Sequence, residues 1–308
     1  MNINQRLIGP GYQTYVVAEI SANHHQNLDE AFQLVETAKE CGADAVKLQT
    51  YRPETITLSP DQRPFKMDQY AEWESSDLYA LYEKAYTPWE WQPQLKQRAD
   101  RIGIELFSTP FDESAVDFLE KMEVKAYKIA SFEIVDLPLI AYTAHTGKPL
   151  ILSTGMATLG EIEEAVTTFY QSGGTELALL KCVSAYPAPF QEFNLKTIPH
   201  LASTFNVISG LSDHSLMPEA SIAAVALGAY IIEKHLTLDR SRGGPDARFS
   251  LEPSEFKSLV DSIRRVEQTL GEVNYKAGRE ERRNRIFRPS IYVTRSICQG
   301  DLFDRSNL

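Results

Sequence analysis

The sequence predicts a (β/α)8 barrel over residues 1–275, with 276–308 as a linker and the start of a further unit. Three observations predict it. Eight short β-like runs alternate with helical patterns over about 270 residues, the length and order of that fold. Most runs are apolar at consecutive positions, as expected for strands buried on both faces. Nearly every run ends in a charged or hydroxyl residue, where a barrel builds its active site.

The runs are 15–20, 45–49, 105–109, 126–129, 150–153, 177–181, 206–211 and 230–233. After the first, Asn27 with Glu30 three residues on reads as a helix start. Leu28, Ala31, Leu34, Val35, Ala38 and Cys41 follow at helical spacing, and Gly42 is a natural stop. After the fifth run, Thr158 and Glu161 repeat the capping pattern. Ile162, Val166 and Phe169 then form the buried stripe, ended by Gly173 and Gly174. After the eighth, Phe256, Leu259, Val260, Ile263, Val266 and Leu270 make a last apolar face before Gly271. A doubly wound open sheet is the competing fold, and it would show a glycine-rich turn after the first strand. The turn here is Ser21-Ala22-Asn23-His24-His25, without glycine.

Two stretches depart from the repeat. Residues 51–91 form a long insertion containing Trp73, Trp89 and Trp91. Its helix-like piece at 76–85 predicts an ordered segment. The basic stretch 276–288 reads as a solvated linker, followed by a strand at 290–294 and the start of another unit at 297–302.

Composition narrows the function. Among 308 residues, 31 Lys and Arg stand against 42 Asp and Glu, a net charge of −11. That argues against nucleic acid and anionic membrane surfaces as partners. No run of about 18 apolar residues offers a spanning helix, and no charged-then-apolar leader is present. Cys41, Cys182 and Cys298 are too few and too scattered for a disulfide framework, which predicts a reducing, cytoplasmic setting.

The strand ends carry Glu19, Lys47, Gln49, Thr109, Lys128, Ser131, Glu133, Ser153, Lys181, Ser184, Tyr186, Ser212, His214, Glu233 and His235. Any one of them reads alone as an ordinary ion pair or hydrogen bond. Together they are costly for a purely structural barrel, because buried charges need partners. Lys47 and Lys128, with Lys181 as a weaker third, would point ammonium groups at one mouth. Ser131, Ser153 and Ser212 add neutral donors. This chemistry fits phosphate and carboxylate oxygens. His214 and His235, one βα unit apart, fall on adjacent strand ends and could share a divalent ion with positions left open. Imidazole suits several metals, so the ion is not specified. Glu19 and Glu233 could orient ligands or take a proton. Cys182 reads as core packing, His25 stays open, and His145 and His200 fall in connecting segments.

Six segments resemble the N-acetylneuraminate synthase family. They are Ala18-Glu19-Ile20-Ser21-Ala22-Asn23-His24, Gly42-Ala43-Asp44-Ala45-Val46-Lys47-Leu48-Gln49-Thr50, Tyr127-Lys128-Ile129-Ala130-Ser131, Leu152-Ser153-Thr154-Gly155-Met156, Gly210-Leu211-Ser212-Asp213-His214-Ser215 and Glu233-Lys234-His235. The wording of the insertion, from Tyr51-Arg52-Pro53 to Tyr86-Thr87-Pro88-Trp89, with Ser131-Phe132-Glu133, resembles the pseudaminic branch. The resemblance implies condensation of phosphoenolpyruvate with an open-chain acetamido sugar, giving a nine-carbon acid and phosphate. It implies a divalent cofactor, Mn2+ or Mg2+, held by His214 and His235. Lys47, Lys128, Ser131, Ser153, Ser184 and Ser212 would hold phosphoenolpyruvate, and Glu19 would manage a proton at its C2. Glu133, Tyr186 and Asp246 would touch the sugar, with Asn23 and Gln49 as further substrate contacts. Ser184 stands where the sialic branch commonly has asparagine. The family also implies a C-terminal antifreeze-like (SAF) domain, of which only the first residues would be present, and a homodimer where that domain is complete.

Overall fold

The computed structural model describes residues 1–59 and 78–308. Its contacts divide into two compact units, Met1–Leu270 and Gly271–Leu308. Trp73 and the first two residues, 76–77, of the expected helix-like piece lie outside the described residues.

The first unit is the predicted barrel. Its strands are β1 Tyr15–Glu19, β2 Ala45–Thr50, β3 Glu105–Pro110, β4 Tyr127–Ile129, β5 Leu150–Ser153, β6 Leu177–Cys182, β7 Ile208–Asp213 and β8 Ile231–His235. They are parallel in sequence order, and β8 closes on β1 with Glu233 opposite Val17 and His235 opposite Glu19. The seventh strand begins at Ile208, two residues later than the sequence predicts. Asn206 instead ends the preceding helix in a left-handed conformation (φ 52°), one that asparagine tolerates.

Helices pack outside. They are α1 Leu28–Glu40, α2 Pro53–Ile56, α3 Leu78–Ala85, α4 Gln92–Ile102, α5 Glu113–Lys121 and α6 Leu137–Ala144. Then come α7 Leu159–Gln171, α8 Thr197–Phe205, α9 Glu219–Ala226 and α10 Pro253–Leu270. Their starts follow the predicted chemistry. Asn27 accepts from the backbone N–H groups of Asp29 and Glu30, and Thr158 and Glu161 close a capping box. Helices α2, α3 and α4 fall in the long β2–β3 connection, so the described part of the insertion is ordered.

Strand alternation creates two apolar layers. Inward side chains such as Val17, Ala45, Phe107, Ile151, Leu180 and Ile231 fill the barrel. Ile3, within the N-terminal ribbon of Asn2–Ile3 and Arg6–Leu7, and Ile8, just after it, join that cluster. They lie at the N-terminal ends of the strands and close that end of the interior. Outward side chains pack under the helices: Val46, Leu48 and Leu106 with Leu34, Leu95 and Phe256, and Ile129 and Leu152 with Leu119, Ile140 and Phe169. The polar inward residues are therefore gathered at the other, C-terminal end.

The second unit carries a short helix, α11 Arg279–Arg283, and a 3-10 turn over Asn284–Phe287. The predicted strand at 290–294 does not form. A strand needs a partner to pair its backbone groups, and here Thr294 N–H donates a single bond to the Asn307 carbonyl. Among the described residues no helix is long and apolar enough to cross a membrane.

Candidate active site

Counting inward from each strand end places the site. Glu19 and Lys47 are buried side by side in an ion pair between β1 and β2. Lys47 Nζ also donates to Thr109 Oγ1 at 3.1 Å and lies 3.8 Å from Glu233 Oε1. Lys128 reaches across from β4 and donates to both Glu233 oxygens, at 3.0 and 3.2 Å. Ser212 Oγ donates to Glu233 Oε1 at 2.9 Å. Two lysines and two glutamates thus interlock inside the mouth, with Glu233 at the centre.

The four charges are not equivalent. Burial dominates Glu19 and, with the Glu233 charge, outweighs Lys47 and raises its pKa to about 7. Burial opposes ionisation of Glu233 as well, but Lys128, Lys47 and the Ser212 hydroxyl outweigh it and hold the pKa at about 2. Burial is also the largest influence on both lysines. It lowers Lys128, whereas Glu19 and Glu233 carry Lys47 above its ordinary value. The cluster therefore keeps positive character while one carboxyl is poised near neutrality.

Beside the lysines lies a hydroxyl cradle. Ser131 Oγ accepts from Gly155 N–H at 3.1 Å. A Cβ on Gly155 would collide with the Ser131 and Ser184 hydroxyls, so the close approach of this backbone requires glycine. Ser153 Oγ is buried with no hydrogen-bond partner, as is Glu133 Oε2. Buried polar atoms are almost always bonded, so these two at the barrel mouth are available to a ligand's atoms. Burial, followed by the Asp136 charge, pushes Glu133 up to about 7 despite a backbone hydrogen bond that lowers it. Gln49 is half-buried and shares the inward register of Lys47.

The two imidazoles lie where the sequence puts them. The His214 and His235 ring centroids are 5.3 Å apart. His214 Nδ1 donates to the Val183 carbonyl at 3.0 Å; burial opposes a charge on this ring, but Cys182, the Val183 carbonyl and Glu233 together carry its pKa above the ordinary value. His235 Nδ1 is buried without a hydrogen-bond partner, 4.0 Å from Asp246 Oδ2. Burial, reinforced by His214 and both lysines, drives the His235 pKa well down, so this ring is neutral. In their neutral forms the two adjacent imidazoles would offer two nitrogens to a divalent ion and leave its other positions open. Among the described residues no group of three or more His, Cys, Asp and Glu could hold an ion together.

Other candidates lie around this centre. Tyr186 packs on His214 at 4.5 Å and on Phe249 at 5.1 Å, and Phe249 meets His235 edge-on at 4.8 Å. Asp246 Oδ2 accepts from Ala22 N–H at 3.4 Å, which draws the β8–α10 loop over the β1 end. Asn23 spends both amide hydrogens on Leu236 O and Ser250 Oγ, at 2.9 and 2.8 Å, so only its Oδ1 is left to offer a ligand. His25 bonds Glu30 at 2.7 Å and the Gly243 carbonyl at 2.8 Å, a tie between loops.

One expectation is corrected. Lys181 does not point into the mouth. It lines an outer cleft of about 950 Å³ with Phe190, Phe193, His200, Glu219 and Leu227, and donates to the Cys182 carbonyl at 3.0 Å. Parity is the reason: Cys182, its neighbour, faces inward and stands 3.8 Å from His214 Nδ1. Burial would raise the Cys182 thiol, but His214, Ser131 and Lys128 pull it down to about 7. Sequence reasoning missed the roles of Gly155 and Phe249, and gave Glu233 a ligand-orienting or proton-accepting role rather than that of counter-ion to both lysines. The position of Glu233 on β8, in inward register two residues before His235, was the available signal for the last.

Comparison with known proteins identifies the family. Residues 34–275 match the model of the NeuB family. The chain is 41% identical over 296 residues to a pseudaminic acid synthase of Campylobacter jejuni subsp. jejuni, covering 96% of this chain and 86% of that protein. It is 39% identical over 300 residues to an N,N'-diacetyllegionaminic acid synthase of Campylobacter jejuni subsp. jejuni, covering 96% and 89%. A crystal structure of N-acetylneuraminic acid (sialic acid) synthetase from Leptospira borgpetersenii, in complex with citrate, superposes with a TM-score of 0.81 at 32% identity, covering 93% of this chain and 95% of that one. On the family match and these identities, the chain belongs to the NeuB family.

Proposed function

We propose that the chain condenses phosphoenolpyruvate with 2,4-diacetamido-2,4,6-trideoxy-L-altrose to give pseudaminic acid and phosphate. The observation that carries this reading is the juxtaposition inside one mouth. Lys47, Lys128 and a hydroxyl cradle stand beside two imidazoles 5.3 Å apart. The pseudaminic acid synthase relative supports the choice of product.

The residues divide the work by chemistry. Lys47, Lys128, Ser131, Ser153, Ser184 and Ser212 bind the phosphate and carboxylate oxygens of phosphoenolpyruvate, and the Gly155 N–H borders the same cradle. This fixes the enol so that C3 faces the sugar aldehyde. His214 and His235 would hold a divalent ion, Mn2+ or Mg2+, whose chemistry when bound is Lewis-acid polarisation of that aldehyde. Attack by C3 leaves C2 electron-poor, and water adds there. Glu19, poised near neutrality, takes the proton of that water. The tetrahedral carbon then expels phosphate with cleavage of the C–O bond, its hydroxyl proton leaving with the phosphate as the C2 ketone forms, and the proton held by Glu19 passes to the alkoxide at the former aldehyde carbon. Glu133, Tyr186, Asp246, Gln49 and the Asn23 Oδ1 border the space for the acetamido sugar.

A second reading, legionaminate synthesis, draws on the legionaminic relative. Side-by-side assays with the diacetamido sugars of the two routes and N-acetylmannosamine, read by product mass spectrometry, decide between them. The altrose derivative should give far the highest kcat/KM, and preference for another sugar overturns the assignment. The same reading places the reaction in the cytoplasm and, with a C-terminal domain present, in a homodimer.

A further inference from the structure

Most outward positions of the barrel strands are apolar and packed under helices, but Asp213 on β7 and Lys234 on β8 are not. Both side chains are fully buried, with Lys234 Nζ 2.8 Å from Asp213 Oδ2. Two charges in an apolar layer are tolerated only when geometry and further hydrogen bonds satisfy them. Asp213 Oδ1 accepts from Ser215 N–H at 2.9 Å and Ser215 Oγ at 2.7 Å, and its Oδ2 accepts from Ser221 Oγ at 2.6 Å. Lys234 Nζ donates to Ser215 Oγ at 3.2 Å and to the Met217 carbonyl at 3.3 Å.

The placement gives this pair its meaning. Asp213 and Lys234 are register partners in the last rung of the β7–β8 ladder. The next residues along the two strands are His214 and His235. Beyond that rung the ladder no longer sets the distance between them. The pair holds His214 from both sides, through the rung before it and through Ser215 and Met217 after it. An apolar pair of similar volume would fill the layer but leave the 214–217 turn without these bonds.

We propose that Asp213 and Lys234 form a positioning pair that sets the separation of the His214 and His235 imidazoles and so tunes affinity for a divalent cation. This rests on the reading of the two histidines as ion ligands. Groups behind metal ligands commonly change affinity by about 10- to 100-fold when altered.

The test is calorimetric titration of Mn2+ into the metal-stripped chain and its Asp213→Asn, Lys234→Met and Asp213→Leu/Lys234→Met variants. Phosphoenolpyruvate is titrated separately, and folding is checked by thermal denaturation. Mn2+ affinity should fall by about tenfold or more in each variant while phosphoenolpyruvate affinity stays at the parental value. Lys234→Met leaves a buried carboxylate alone and is the variant most at risk of not folding; the double variant removes both charges and reads the same quantity. Parental Mn2+ affinity in the folded variants overturns the inference, as does equal loss of both ligands. His214→Ala and His235→Ala are titrated alongside. If these also keep parental affinity, the ion reading fails and the inference with it. If they lose Mn2+ while the pair variants keep it, only the positioning inference fails.

Discussion

Lys128 Nζ sits 3.0 and 3.2 Å from the two carboxylate oxygens of Glu233, joining β4 to β8 across the barrel interior. Glu233 also takes the Ser212 hydroxyl and faces Lys47, so it balances both cations of the mouth. Replacing Glu233 with Gln leaves Lys128 buried beside a neutral amide. Losing one partner of such a pair costs about 3–5 kcal/mol. Urea denaturation should show a loss of that size, with turnover abolished, and parental stability would contradict the assignment.

The pH profile should carry a limb from Glu19. Its carboxyl is raised to about 7, by burial first and by Glu233 after it. Only the ionised form can take the proton of the attacking water. The value of kcat/KM should therefore rise by about tenfold per pH unit below about 7 and level off above it. Glu19→Gln should be slow and lack the limb, and a variant that keeps it assigns the limb to another group. The same shift favours the folded state below the ordinary carboxylate pKa, and that contribution is lost as pH rises through about 7.

Gly155→Ala tests the cradle. The added Cβ meets the Ser131 and Ser184 hydroxyls, so these must move. Misplacing binding groups by about 1 Å can cost roughly 100-fold in rate. The kcat/KM for phosphoenolpyruvate should fall by about that factor, while circular dichroism stays parental. Unchanged kinetics would place the anion elsewhere.

Lys181→Met and Lys128→Met should behave oppositely. Lys181 lies in the outer cleft and Lys128 in the mouth. The first variant should retain parental kcat and KM, and the second should lose turnover. Steady-state assays of both check the inward and outward assignment.

Much of this was legible in the sequence because strand period and chain order carry it. Apolar runs gave the barrel, and run ends gave Glu19, Lys47, Lys128, Ser212, His214 and His235. Parity was harder to read. In strands buried on both faces, consecutive apolar residues hide which side is in, and Lys181 was misread for that reason. Gly155 was hidden differently, because the contact that demands glycine is made with Ser131 and Ser184 of other loops. The expected strand at 290–294 failed because local propensity does not supply a partner.

The most direct measurement of the central claim is an omit-one reaction followed by product mass spectrometry. With phosphoenolpyruvate, the diacetamido altrose and Mn2+ all present, the account predicts a nine-carbon acid and stoichiometric phosphate. Leaving out the sugar or the metal should leave phosphoenolpyruvate intact. Phosphate release at an unchanged rate without sugar would contradict it.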